Sequence, residues 1–187
     1  MYKIDVKTSQ IIPASQVHED LQQAKNMSIG RRSEFLKGRY LLRNLAADFL
    51  EVEPNAIEFI NYGRKLRINA PSELFCSLSH TYGWISAVIA NHEVGIDIEL
   101  SNRQIDIIRV AKRFFHSSEY QWILESDEPS YSALKLWVLK EAHVKLKGST
   151  LARELSKAKF DKNFHMAGYI SEIIPHELLV IGINYRA

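Results

Sequence analysis

Two short stretches concentrate side chains able to do chemistry: GIDIE at Gly95–Glu99 and WVLKEAHVK at Trp137–Lys145. The first alternates as a strand does, so Asp97 and Glu99 share one face while Ile96, Ile98 and Leu100 share the other. The second is rich in helix formers and meets neither Gly nor Pro until Gly148, which predicts a helix. At about 100° per residue, Trp137, Glu141 and Val144 fall on one face, with Leu134 beside them and Lys145 at its edge. A carboxylate is thereby set in an apolar stripe, where it stays ionised only with a cation or donors beside it. Asp97, Glu99 and Glu141 brought together make a site of hard oxygen donors. Such a site suits Mg²⁺, which keeps several waters and takes its remaining ligands from phosphate. Lys140 and Lys145 flank the same helix, placed to meet those phosphates.

The elements that must position these groups follow from pattern. Tyr2–Lys7 alternates as a strand, and a polar loop with Pro13 follows. A long helix is predicted from about Ser28 to Leu50, with Phe35, Leu42, Leu45, Ala46 and Phe49 as its apolar stripe and Gly38 inside. Arg32, Arg39 and Arg43 line the border of that stripe. Two readings stand open there: a solvated basic flank and an anion-binding edge. Ile57–Asn61 reads as a strand, then Asn61-Tyr62-Gly63 as a turn into Arg64-Lys65-Leu66-Arg67. Phe75–Ala90 reads as two strands joined at Tyr82-Gly83, with Ser79 and His80 at the edge of the turn. Asn91-His92 turns the chain into GIDIE. A helix capped by Ser101 or Asn102 follows to about Phe115, on the spacing of Ile105, Ile108, Ala111 and Phe115. Ser117 or Ser118 caps a second short helix that reaches Leu124. The motif helix starts at Ser130, and strands are predicted over Ala158–Asp161, Gly168–Ile173 and Leu178–Tyr185.

Composition narrows the classes. The 187 residues carry 46% hydrophobic and 25% charged side chains, the balance of an ordinary globular protein. A net charge of +2 gives no global field for nucleic acid. The one cysteine, Cys76, excludes an intrachain disulfide framework and reads as a small core residue. No apolar run has membrane-spanning length and the first residues lack a signal-peptide core, so a soluble cytoplasmic protein is expected.

GIDIE followed by W-x-x-K-E-A-x-x-K, with RFFHSSEY (Arg113–Tyr120) between them, resembles the 4'-phosphopantetheinyl transferases, specifically the surfactin-synthetase-activating type. FCSLSHTYGW resembles a further family segment, with Ser77 where Asn is common and Thr81 where Ser is common. Val138 stands where the family more often has Ser, Thr or Cys. Arg64 matches the lysine of a G-K-P turn whose proline is replaced by Lys65. The resemblance implies an α+β fold of two similar α/β halves in a pseudo-twofold arrangement, residues 1–90 and 91–187, with the active site in the cleft between them and a monomeric chain.

It also implies the reaction: a serine hydroxyl of an apo carrier protein (acyl, peptidyl or aryl) attacks the pyrophosphate of coenzyme A, and phosphopantetheine is transferred. On this reading Asp97, Glu99 and Glu141 hold Mg²⁺, with Mn²⁺ as a substitute, and Glu141 is a candidate base, directly or through water. Lys145 meets the leaving phosphate and Lys140 holds coenzyme A. Arg39, Arg43, Arg64, Ser79 and His80 contact its phosphates. Two other classes use the same residues: a metal-dependent phosphodiesterase with water as nucleophile, and a non-catalytic module that binds coenzyme A and carrier proteins. Taken singly, Asp97 and Glu99 also read as a solvated strand face, and Glu141 with Lys145 as a helix ion pair.

Overall fold

The computed structural model describes residues 1–103 and 106–187. Their contacts divide the chain into two units, Met1–His92 and Glu93–Ala187. Both combine antiparallel strands with helices, so the fold is α+β.

In the first unit, β1 (Tyr2–Thr8) leads to a short helix α1 (His18–Gln23) and the long helix α2 (Ile29–Leu50). Strands β2 (Glu58–Tyr62), β3 (Lys65–Ala70), β4 (Leu74–Thr81) and β5 (Trp84–Ala90) follow. They form one sheet in the order β1-β5-β4-β3-β2. Thr81 pairs with Trp84, so Tyr82 and Gly83 make a two-residue hairpin turn, both at positive φ as such a turn requires. The β2–β3 turn closes one residue later than the sequence suggests. Tyr62 pairs with Lys65, which leaves Gly63 and Arg64 at the tip. Leu41, Leu42, Leu45 and Ala46 of α2 pack with Ile68, Cys76, Ile85, Ala87 and Ile89 of the sheet. Each fully buried aliphatic side chain there contributes about 1.5–3 kcal/mol. Gly38 lets α2 approach β4, since an added Cβ would lie 3.2 Å from Leu78 Cδ1. Cys76 is a core residue as expected, and burial pushes its thiol up to about 12.

The second unit holds β6 (Val94–Leu100), α3 (Ile107–Phe114), α4 (Ser117–Leu124), α5 (Pro129–Lys147), α6 (Leu151–Glu154), β7 (Tyr169–Pro175) and β8 (Leu179–Arg186). Its sheet runs β6-β8-β7, and α5 lies across β6 and β8 with α3, α4 and α6 around it. That surround buries α5 on nearly every side, so the single apolar stripe expected of the motif helix is not its pattern.

Several expectations need correction. The polar stretch after Pro13 contains α1. The helix after GIDIE is capped by Asp106, whose carboxylate accepts from Arg109 N at 3.0 Å; Ile105 of the expected stripe lies outside the described residues. His116 rather than a serine caps α4, with Glu119 completing a capping box. Ala158–Asp161 forms no strand. Phe160 is an anchor there, 1% exposed, and its N–H donates to Glu119 Oε1 at 2.8 Å.

Candidate active site

GIDIE and the motif helix meet because small residues allow it. A Cβ on Gly95 would lie 2.0 Å from the carbonyl oxygen of Ala142, and one on Gly182 would lie 3.0 Å from Val138 Cγ2. Glycine at both places lets the backbone of α5 press on β6 and β8, and the Val138 methyl fills the space left beside Gly182. Asn184, buried opposite Gly95 in the sheet register, donates from its amide to Leu139 O at 3.0 Å and pins the helix in place. Gly95, Asp97 and Glu99 alternate onto one face of β6, the face that meets α5.

The two motifs are then joined by charge. Lys145 Nζ lies 2.8 Å from Asp97 Oδ1 across 48 residues of sequence. Asp97 is 3% exposed, whereas the Lys145 side chain is 30% exposed, so the lysine reaches the pair from the solvent side. Glu99 accepts from Arg103, just past the end of β6, a partner the sequence reading missed because residues four apart are neighbours on a helix but not along a strand. Glu141 has the most perturbed carboxyl. Burial first, then the charge of Asp97 and more weakly Glu99, push it up to about 7, against the opposing pull of Lys145 and Arg103.

Among the described residues, no three His, Cys, Asp or Glu side chains are grouped to cage a metal ion. Asp97 is turned to Lys145 and Glu99 to Arg103. The donors still suit a hard divalent cation. They are all oxygen, and at Glu141 burial and the charge of Asp97 outweigh the pull of Lys145 and Arg103, a balance that a bound cation would shift.

Lys140 does not stand at this site. Its side chain is 0% exposed, and its ammonium pairs with Glu119 at 2.9 Å while donating to Leu155 O at 2.7 Å and to Ala158 O. Five residues separate Lys140 from Lys145, about 140° around a helix, so the two leave different sides of α5. The expected coenzyme A contact of Lys140 is thus replaced by a buried clamp on the segment after α6.

Residues 93–180 match the family model of the 4'-phosphopantetheinyl transferase superfamily. That stretch, just under half of the chain, is similar to that superfamily. The resemblance carried by GIDIE and WVLKEAHVK is borne out, and the matched span holds Asp97, Glu99, Glu141 and Lys145 together. Among curated relatives, the 4'-phosphopantetheinyl transferase gsp of Aneurinibacillus migulanus is 31% identical over 157 residues, 80% of this chain and 64% of the relative. The 4'-phosphopantetheinyl transferase HetI of a Nostoc species is 32% identical over 129 residues, 65% and 54% of the two chains. Sfp of Bacillus subtilis, another 4'-phosphopantetheinyl transferase, is 29% identical over 144 residues, 75% and 62%. The chain thus spans between 54% and 64% of the length of these three relatives.

The remaining candidate residues lie in the first unit, before the superfamily match. Arg39 and Arg43 are not a solvated flank: they are 4% and 3% exposed and surround Asp20, itself 1% exposed. Arg43 grips Asp20 with Nε at 2.8 Å and Nη2 at 3.1 Å and donates from Nη1 to Ile57 O. Its phosphate role is corrected to a structural one, since its guanidinium is committed to α1 and the start of β2. Arg39 is less committed. It donates to Gln23 Oε1 at 3.0 Å and stacks over Phe59, while Nη1 has no hydrogen-bond partner among the described residues. Burial pulls its guanidinium below the usual value, with Asp20 opposing. Arg39 lines a groove of about 400 Å³ with Arg31, Glu34, Phe35, Asn61 and His80. His80 is exposed, 3.9 Å from Glu34. Ser79 is 5% exposed, because neighbours on a strand face opposite ways and only one of the pair can face solvent. Arg64 is exposed at the hairpin tip. No signal in the sequence pointed to Asp20, a carboxylate 23 residues from the arginine it neutralises.

Proposed function

We propose that this protein transfers 4'-phosphopantetheine from coenzyme A to a serine of an apo carrier protein. The observation that carries the reading is the 2.8 Å contact of Lys145 with Asp97, which joins the two family motifs beside a carboxyl held up to about 7. The serine oxygen attacks the phosphorus that bears pantetheine. The bond from that phosphorus to the bridging oxygen breaks, and adenosine 3',5'-bisphosphate leaves. Glu141 receives the serine proton, directly or through one water, and its position near neutral suits a group that must both take and release protons at cellular pH. Lys145, its side chain 30% exposed, turns from Asp97 to the leaving phosphate, where negative charge grows as the bond breaks. Such an interaction is stronger in the transition state than in the ground state and acts on turnover.

Asp97 and Glu141 would hold Mg²⁺, with Glu99 joining directly or through water. The ion would supply charge neutralisation on the pyrophosphate oxygens. Arg39, Arg64 and His80 are assigned to the nucleotide phosphates, Arg39 because its Nη1 has no hydrogen-bond partner among the described residues. Among the described residues no helix is long and apolar enough to cross a membrane.

The test is mass spectrometry of apo carrier proteins incubated with the chain, coenzyme A and Mg²⁺. The expected outcome is a gain of one phosphopantetheine on the carrier serine, lost on changing that serine to alanine, stopped by excess chelator and restored by Mg²⁺ or Mn²⁺. Coenzyme A cleavage without any carrier would replace the transferase by a hydrolase. Binding of coenzyme A with no mass gain across a panel of acyl, peptidyl and aryl carriers would leave a binding module.

A further inference from the structure

The second unit has another cavity, of about 340 Å³, lined by residues that the proposed chemistry does not use. Its walls come from the last turns of α5 (His143, Lys147), the segment after α6 (Lys157, Lys159 and Glu154 at its head) and the residues before β7 (Met166, Tyr169). Three lysines thus face one carboxylate, and Glu154 is already engaged by the Ser149 hydroxyl at 3.0 Å. The cavity wall also includes a buried imidazole. His143 is 5% exposed, packs edge-on against Tyr169 with ring centroids 4.7 Å apart, and has no hydrogen-bond partner at Nδ1 among the described residues. A buried ring nitrogen left unsatisfied is destabilising, and a ligand that supplies the partner removes that cost. Lys147 is held over the same tyrosine, its Nζ 3.4 Å from the Tyr169 hydroxyl.

We infer that the His143–Lys147–Lys157–Lys159 cavity binds an oxyanion of the phosphate class. The lysines supply positive charge on flexible stems, which suits a phosphate met as a point charge. The Tyr169 hydroxyl supplies a donor, and His143 supplies another in the tautomer that carries its proton on Nδ1; together they set where the oxyanion sits. A cavity of this size takes one phosphate with its waters, or a phosphate carried on a small molecule. The inference stands apart from the transferase reading, because none of these residues touches Asp97, Glu141 or Lys145 in it.

The experiment is a titration of the full ¹⁵N-labelled chain, followed by NMR at the His143 imidazole nitrogens and the Tyr169 amide. Sodium phosphate is compared with sodium chloride at equal ionic strength. Saturable shifts with phosphate alone are expected. Lys147→Met together with Lys157→Met should weaken that binding about tenfold or more, on a scale where 1.4 kcal/mol is tenfold. His143→Phe, which keeps the aromatic contact with Tyr169, should weaken it as well. Glu154→Gln should strengthen it. Adenosine 3',5'-bisphosphate forms a second arm: tighter binding than phosphate at the same signals assigns the site to a phosphate carried on a nucleotide, and equal binding assigns it to free phosphate. Equal shifts from chloride, unsaturable shifts, or an affinity unmoved by the lysine substitutions would each overturn the site. The lysines are exposed, so the paired methionine variant tests the site even if His143→Phe does not fold.

Discussion

Lys140 and Lys145 leave the same helix five residues apart and meet opposite surroundings. Lys140 is sealed among Glu119, Leu155 O and Ala158 O, where every proton of its ammonium has an acceptor. Lys145 has one buried carboxylate, Asp97, and a side chain that still reaches solvent. The first arrangement fixes a fold and allows no substrate near it. The second keeps a charge in reserve at the mouth of a carboxylate site. The N-terminal unit repeats the contrast: Arg43 is consumed by Asp20 and Ile57 O, and Arg39 one turn earlier keeps a donor unspent. In both units the two cations differ in how many of their donors are already satisfied.

The largest effect should come from the sealed lysine. Lys140→Ala leaves Glu119 buried without its cation and is expected to cost about 3–5 kcal/mol, read from urea or thermal unfolding. Because a buried pair replaced by apolar residues is often neutral, adding Glu119→Leu to Lys140→Met should recover part of that loss. If Lys140→Ala instead keeps stability and loses turnover, the two lysines do not differ as described.

Next in size is Lys145→Ala, expected to lower kcat about a hundredfold; because it also strips the buried Asp97 of its cation, unfolding is measured alongside to separate the two effects. Lys145→Arg should rescue in part, as a planar fork replaces a compact charge. A loss confined to KM would show that the lysine serves binding alone.

Glu141 gives a pH signature. Its folded value, about 7, lies above the ordinary 4.5, so between those pH values the native state binds more protons than the unfolded one. Stability from this group is then highest below pH 4.5 and falls as pH rises towards 7. Glu141→Gln should flatten that part of the stability profile by on the order of 1–3 kcal/mol, measured as the difference between variant and parent across pH 4–8. Parallel profiles would mean that the carboxyl is not perturbed. Added Mg²⁺ should flatten the parent profile in the same way.

The smallest effect concerns the exposed cations of the first unit. His80→Ala and Arg64→Ala should raise KM for coenzyme A by about tenfold each with little change in kcat. Dephospho-coenzyme A should bind the parent less well and lose little more in whichever variant has removed the 3'-phosphate contact. Unchanged discrimination in both would pass that role to Arg39.

Much of this protein was determined by the amino-acid sequence alone. Alternation and helix-forming runs located α2, α5, the β4–β5 hairpin at Tyr82-Gly83 and the strand that carries GIDIE, because those signals are local and repeat along the chain. The motif spacing likewise selected Asp97, Glu99, Glu141 and Lys145. Tertiary structure decided which charges remain available. A helix period gives the angle between Lys140 and Lys145 but not which angle meets Glu119 and which meets solvent. Nor does any local pattern show that Asp20, on a helix hidden within a polar stretch, neutralises Arg43. Burial and partnership depend on contacts between residues 20 to 50 positions apart, and only the folded chain brings those together.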